Sequence, residues 1–197
     1  MAYALYHVNG IVLGGINIGE GHRLIDLFTE EFGLVRVAAK SARENRSKMR
    51  YHIQDYTRGR YTLIRGREQW KLTGAHGEQN IFYQLITEPR KQMLFAAIAQ
   101  LLRRLLPGEE TNAPLFAIVD EGVSFLRGSS LSPAACDALE RVMVLRILHA
   151  LGYVSEEAIQ AAPLLGDAYS PQLLDTAEHH ARELVSVISV GLEESHL

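Results

Sequence analysis

Residues 29–56 read TEEFGLVRVAAKSARENRSKMRYHIQDY, and in this stretch an apolar run typical of a β-strand leads into a dense cluster of arginine and lysine. From Arg36 to Lys71 there are eleven Lys/Arg and three acidic residues, a net charge of +8, whereas residues 72–197 carry −8. The whole chain is mildly acidic at −3, so the basic cluster is a local feature. This separation of charge suits a chain that holds a polyanion on one half and meets protein partners with the other.

On both sides of this stretch, the first eighty residues predict about five short strands. Gly14, Gly15, Gly19 and Gly21 predict a turn after the first strand, and one further strand is expected near that turn. Arg65–Glu68 has the length and the glycine of a hairpin connection. The four apolar or aromatic runs that predict the other strands are Tyr3–Leu13, Leu34–Ala39, Tyr56–Ile64 and Gln69–Ala75.

Five short antiparallel strands must protect their exposed edges, and a small barrel of the OB type is one economical solution. After about Asn80 the apolar period becomes helical. The predicted fold class is therefore α+β, with a five-stranded OB-fold barrel at residues 1–80 followed by an α-helical domain at residues 81–197.

The helical half has clear start and stop signals. Ser132-Pro133 and Ser170-Pro171 each combine an N-cap with proline at the first helical position. The helix that begins at Pro133 is apolar almost all round in its second half, which predicts a central position in a bundle. The expected helices are 91–106, 114–127, 133–151, a short one at 155–162, and a last one from Pro171 to about Val190.

Composition excludes several classes of protein. No apolar stretch approaches the roughly 20 residues of a membrane span, and the N-terminus lacks the pattern of a signal peptide. We therefore expect a cytoplasmic protein without a membrane partner. The single cysteine, Cys136, rules out an intrachain disulfide and a cysteine-rich zinc site, and we expect it to be buried.

Motifs for catalysis or cofactor binding are weak. The segment GGINIGEGHR at residues 14–23 lacks the Gly-Lys-Ser/Thr ending of a phosphate loop and the spacing of a dinucleotide fingerprint. His179 and His180 are adjacent rather than one helical turn apart, which does not favour a metal site. We expect no enzyme activity, no cofactor and no metal.

The basic cluster is the strongest functional signal. A run of charge is often only a solvated face, but here Tyr51, His52, Tyr56, Tyr61 and Trp70 alternate with the cations. Aromatic rings beside cations suit single-stranded nucleic acid, because bases stack on rings while phosphates meet Arg and Lys. Trp70 and Tyr61 lie on predicted strands and could equally face the barrel interior. The predicted DNA-binding residues are Lys40, Arg43, Arg46, Lys48, Arg50, Arg58, Arg60, Arg65 and Arg67.

The chain also resembles a known family, the bacterial recombination mediators called RecO. The N-terminal pattern of that family appears here as GIVL at residues 10–13, Glu20, TEE and glycine at residues 29–33, Ala-Lys at residues 39–40, and Gln54 before Tyr56. In the helical half, ALERVMVLRILHALGY at residues 138–153 is similar to the family's central helix, which ends in Leu-Gly-Tyr. The two matches occur in the right order along the chain.

The resemblance implies an OB fold followed by a helical domain without a catalytic site. It implies binding of single- and double-stranded DNA, strand annealing, a nucleoid-associated location, and cooperation with RecR in loading the recombinase onto coated strands. It carries DNA contacts to Lys40, Arg43, Arg46 and Arg50. It also carries to Arg141 a role in binding the C-terminal tail of the single-stranded-DNA-binding protein, and an arginine beside an apolar groove suits a carboxylate that follows an aromatic residue.

The chain departs from the family pattern in three places. Ser41 stands where the family usually has glycine, which questions any backbone contact that needs a left-handed conformation there. Residues 154–168 contain no cysteine, so the chain resembles the zinc-free branch that lacks a four-cysteine knuckle. It also ends sooner than many relatives.

Two other functions remain open from the sequence. One is an OB-type RNA-binding module, because stacking and phosphate contacts do not distinguish DNA from RNA. The other is a helical regulatory or interaction protein whose basic hairpin is only a solvated face.

Overall fold

The computed structural model describes residues 4–42, 44, 47–67, 69–159 and 163–195. The chain forms two compact units. The first contains the residues up to Ile86 together with Leu106–Ala113, and the second contains Thr87–Leu105 and Pro114–Leu197.

The first unit is a closed five-stranded barrel, as the sequence predicts for an OB fold. The strands pair in the order β1-β2-β3-β5-β4, and β1 closes the barrel by pairing with β4. All pairs are antiparallel except β3 with β5. The elements are β1 (Leu5–Ile18), β2 (His22–Thr29), β3 (Gly33–Ala39), β4 (Thr57–Arg65), β5 (Trp70–Asn80) and the short helix α1 (Ile81–Gln84).

The alternation of residues along the strands decides which side chains enter the barrel. On β3, Val35 and Val37 are buried while Arg36 between them is exposed. On β4, Tyr61 and Leu63 are buried while Arg60 is exposed. Because successive side chains of a strand point to opposite faces, the apolar core forces the arginines of these strands to the outside of the barrel.

The first strand is longer than predicted. Gly14 and Gly15 were expected to form a turn, but both lie inside β1, and the turn comes at residues 19–21. A Cβ atom on Gly15 would lie 2.6 Å from the carbonyl oxygen of Leu24 on β2, so glycine here permits a close approach of two strands. The pairing of β1 with β2 also shifts register between Val12 and Gly14, as at a bulge.

Residues 106–113 lie against the barrel although they follow a helix of the second unit. The hydroxyl of Thr111 donates to the carbonyl oxygen of Glu31 at 2.7 Å, and Glu109 forms a bridge with Gly33. Gly33 has φ of +65°, and a Cβ atom there would overlap the backbone of Glu110. Glycine at this position therefore allows the 106–113 segment to contact the start of β3.

The second unit is helical, as predicted. The helices are α2 (Pro89–Leu105), α3 (Ala113–Gly128), α4 (Pro133–Ala150), α5 (Pro163–Gly166), α6 (Pro171–His179) and α7 (Ala181–Glu194). The helix α4 is central: it packs against α2, α5, α6 and α7, Met143 of α4 also lies beside Gly122 of α3, and the buried residues of α4 lie all round its circumference. Ser132 caps α4 by accepting a hydrogen bond from the amide of Ala135 at 3.1 Å.

Two helix predictions were wrong in detail. The last helix, expected from Pro171 to about Val190, is two helices that meet at His180, where ψ of 14° interrupts the helical backbone. The short helix expected at residues 155–162 is a single 3-10 turn, Glu156–Ala158, and residues 160–162 lie outside the described part. Apolar periodicity continues across both breaks and therefore does not reveal them.

Among the described helices, none has the length and apolar character that crossing a bilayer would need. Cys136 is buried on α4, as expected.

Candidate nucleic-acid interface and a groove in the helical unit

The basic loop, residues 40–56, contributes apolar side chains to the barrel core. Ala42 and Ile53 are fully buried in the barrel core, and Met49 packs partly against it. These apolar side chains point inward, whereas the described cations of the loop lie at the surface. Lys40, Lys48 and Arg50 are exposed. Arg43 and Arg46, which were also predicted to bind DNA, lie outside the described residues.

The final turn of the basic loop is tied to the barrel by hydrogen bonds. The carbonyl oxygen of His52 accepts from the Tyr61 hydroxyl at 3.2 Å, and the His52 ring accepts from the amide of Gly77 at 3.1 Å. Asp55 forms an ion pair with Arg23, and its carbonyl oxygen accepts from the Asn80 side chain at 2.9 Å. The loop is therefore fixed in place at this end, which reduces the entropy lost when a ligand binds.

Ser41 has a left-handed backbone, with φ of +53°. Its amide donates a hydrogen bond to Nδ1 of His22 at 3.0 Å, which joins the start of the basic loop to the β1–β2 turn. Ser41 therefore has the left-handed backbone that glycine adopts easily, although a residue with a Cβ atom is strained in this conformation.

Replacing Ser41 with glycine is expected to raise the free energy of unfolding by about 0.5–1 kcal/mol, because relief of left-handed strain exceeds the added entropy of the unfolded chain. Urea unfolding would measure this. Ser41→Ala is the matched control and should give no gain, since alanine keeps the Cβ atom. A Ser41→Gly protein that is less stable than the original would contradict the explanation.

Four further predicted cations lie on β4 and its hairpin. Arg58 and Arg60 both contact Glu78 of β5, at 3.2 and 3.3 Å. Arg65 contacts Glu109 at 3.3 Å, and its guanidinium lies 5.5 Å from the centre of the Trp70 ring. Arg67 is exposed. Surface ion pairs of this kind contribute at most about 1 kcal/mol, so a phosphate can replace the carboxylates.

The predicted cations are spread along β4 rather than gathered in one cluster. The basic loop enters this strand at Thr57, and the hairpin with Arg67 follows its other end at Arg65. Nine residues of strand span about 26 Å, with Arg58 and Arg60 between the two ends. We call this line from the basic loop to the hairpin the β4 track; its length suits several nucleotides of a single strand.

Two of the rings considered as base-stacking candidates belong to the core instead. Trp70 and Tyr61 are almost fully buried, and Trp70 packs against Tyr6 and Phe32 at centroid distances of 5.2 and 5.1 Å. Burial also raises the pKa of Tyr61. Tyr51 in the basic loop is exposed. Tyr83 on α1 is also exposed, and its neighbour Phe82 is partly exposed; neither ring was predicted from the sequence as a stacking candidate.

The helical unit contains a groove of about 470 Å³ between α2, α4 and α7. Its apolar lining includes Ile98, Leu101 and Ile188. Arg141, the residue predicted to bind a partner's tail, lies in the lining. Its Nε atom is buried and has no hydrogen-bond partner among the described residues.

Other charged groups line the same groove. Arg90 forms an ion pair with Asp137. Burial raises the pKa of the Glu140 carboxyl, and the nearby charges of Arg90 and Arg141 oppose this rise. The groove therefore offers an apolar surface with an arginine whose hydrogen-bonding capacity is not filled. Within the described part of the chain, no group of three or more His, Cys, Asp or Glu is arranged to hold a metal ion.

Comparison with known proteins agrees with the fold. Residues 1–81 match the family model "Recombination protein O N terminal". A curated "DNA repair protein RecO" from Pelotomaculum thermopropionicum is 28% identical over 150 residues, which cover 76% of this chain and 56% of the relative. A relative of the same name from Exiguobacterium sp. is 27% identical over 95% of this chain and 75% of its own length. Another from Heliobacterium modesticaldum is 30% identical over 77% of this chain and 53% of its own length.

The match thus spans between about half and three quarters of these relatives. It begins in the barrel and continues into the helical unit, and the resemblance noted in the sequence is confirmed. The N-terminal barrel therefore matches the N-terminal model of recombination protein O, and the chain as a whole is similar to DNA repair proteins of the RecO family.

Proposed function

We propose that this protein is a non-enzymatic mediator of DNA repair that binds single- and double-stranded DNA along the β4 track. One observation carries the proposal. The apolar residues of the barrel and the described apolar residues of the basic loop point inward, while the cations Lys40, Lys48, Arg50, Arg60 and Arg67 are exposed. Phosphates bound there would release counterions, and this release drives most nucleic-acid binding.

The proposed mechanism of annealing is electrostatic. Two DNA strands repel each other through their phosphates, and cations that contact both strands lower this repulsion. The chemistry needs no nucleophile and no cofactor, only a basic surface held on a rigid barrel.

The helical unit would recruit the protein to strands that are already coated. The groove beside Arg141 fits an acidic peptide that ends in an aromatic residue, as in the tail of the single-stranded-DNA-binding protein. The ring would enter the apolar part of the groove, and the terminal carboxylate would pair with the guanidinium of Arg141. Cooperation with RecR in loading the recombinase is proposed from the similarity to RecO proteins.

The double reversal Lys40→Glu and Lys48→Glu tests the DNA-binding surface. We expect affinity for DNA of any sequence to fall roughly 10-fold or more, and the slope of log affinity against log salt to become shallower by about two. Fluorescence anisotropy of a labelled oligonucleotide at several salt concentrations would measure both.

A matched control reverses Arg103 and Arg104, which are exposed on α2 of the helical unit, because it changes net charge equally. Equal losses in the two variants would mean that net charge rather than the β4 track controls binding. Competition between DNA and RNA of the same sequence decides whether the barrel is a DNA or an RNA module. Absence of any binding at low salt would favour a helical interaction protein.

A further inference from the structure

Tyr56, at the end of the basic loop, has an unusual backbone conformation. Its φ is +70°, in the left-handed region that a bulky side chain rarely occupies. Two hydrogen bonds hold it there: its amide donates to the carbonyl oxygen of Val12 at 2.7 Å, and its carbonyl oxygen accepts from the amide of Ile81 at 3.0 Å. Glycine would adopt this backbone more easily, so a tyrosine here points to a role for its side chain.

The ring of Tyr56 stacks on that of Phe82. The ring centres are 5.7 Å apart and the planes are inclined by 29°. Phe82 lies on α1, where the fully buried Ile81 anchors the helix and Asn80 caps it by accepting from the amide of Tyr83 at 3.1 Å. Phe82 is 36% exposed and Tyr83 is 59% exposed, so aromatic surface is presented to solvent beside the stacked pair.

This aromatic surface lies at the end of the barrel where the basic loop joins β4. Tyr56 immediately precedes β4, and α1 immediately follows β5, the strand paired with β4. Arg58 is two residues beyond Tyr56, and the nearest carboxylate in sequence, Asp55, is neutralised by Arg23. Rings beside cations are the combination that recognises single-stranded nucleic acid.

We propose that Tyr56 and Phe82 form a stacking platform for an unpaired base, with Tyr83 at its edge. The proposal rests on the DNA-binding function proposed above and adds a preference to it. A base in a single strand exposes its face to a ring, whereas a base in a duplex is covered by its neighbours. The β4 track would bind phosphates of either form, and the platform would favour the single-stranded one.

Replacing Phe82 with leucine tests the platform. We expect the affinity of the variant for a single-stranded oligonucleotide to fall roughly 5- to 150-fold, which is the effect expected when one stacking ring is removed. Affinity for the matching duplex and the salt dependence of binding should stay within about twofold. Phe82→Trp, which keeps an aromatic face, should bind single strands as the original protein does.

A second measurement reports the stacking itself. The fluorescence of 2-aminopurine in the single strand should be quenched on binding to the original protein and to Phe82→Trp, but not to Phe82→Leu. Circular dichroism of each variant checks that the fold is kept. Equal losses for single strands and duplexes, or no loss in Phe82→Leu, would overturn the platform while leaving the β4 track in place. Failure of the original protein to bind any DNA would overturn both.

Discussion

Replacing Arg146 with leucine is expected to lower the free energy of unfolding of the helical unit by about 3–5 kcal/mol. Arg146 is buried on α4, where its Nε donates to the carbonyl oxygen of Leu164 at 2.7 Å and a terminal nitrogen donates to that of Asp167 at 2.6 Å. Its guanidinium also lies 4.5 Å from the centre of the Tyr169 ring. Leucine would leave both carbonyl groups without their donor and would remove the contact with the ring.

Urea unfolding followed by helical circular dichroism measures this effect. Arg146→Lys should recover little of the loss, because an ammonium group cannot reproduce two hydrogen bonds and a planar contact together. Arg104→Leu, at an exposed position of α2, is the control and should change stability by less than about 0.5 kcal/mol. A loss below 1 kcal/mol for Arg146→Leu would mean that water replaces the arginine at both carbonyl groups.

The same contacts connect α4 to described residues that follow it in the chain. Arg146 joins this helix to α5 and to the residue that follows it, and Tyr169 packs over the guanidinium. Burial raises the pKa of Tyr169 to about 12 even though Arg146 opposes the shift, so the phenol stays neutral while it donates to the carbonyl oxygen of Ile118.

Replacing Arg141 with glutamate is expected to weaken binding of an acidic peptide with a C-terminal phenylalanine by about 30-fold or more. The change removes the donor proposed for the terminal carboxylate and places a like charge beside it. Isothermal titration calorimetry with the synthetic peptide would measure the affinity of each variant.

Glu140→Gln is the matched variant at the neighbouring groove position. Since it removes a negative charge from the lining, it should strengthen binding of the acidic peptide by a few fold. If both substitutions changed the peptide affinity in the same direction, the peptide would not occupy this groove. An unchanged affinity for Arg141→Glu would lead to the same conclusion.

Much of the fold could be predicted because local patterns and global packing agree. The apolar runs at Leu34–Ala39 and Tyr56–Ile64 predicted β3 and β4, and the cap and proline at Ser132-Pro133 predicted the start of α4. Gly15 was misassigned to a turn because the sequence does not distinguish a glycine that reverses the chain from one that lets two strands approach.

The candidate site was less accessible to sequence reasoning. The cations could be predicted from charge alone, but their carboxylate partners could not, since Arg65 meets Glu109 far along the chain. Trp70 lies on a strand, and the sequence does not tell which face of that strand meets the core. In the structure Trp70 is buried. Phe82 was missed because it follows the last strand and reads as the start of the helical half.

The placement of residues 106–113 has a consequence for any attempt to excise the barrel half of the protein. The polypeptide leaves the barrel unit after Ile86, returns to it for these eight residues and leaves again, so three peptide connections join the two halves. A fragment cut after α1 would lack Thr111 and Glu109. The carbonyl oxygen of Glu31 would then lose its hydrogen bond from Thr111, and Gly33 at the start of β3 would lose its bridge with Glu109. A single protease nick therefore cannot separate two intact halves, and a minimal fragment that keeps the whole barrel must extend through α2 to residue 113.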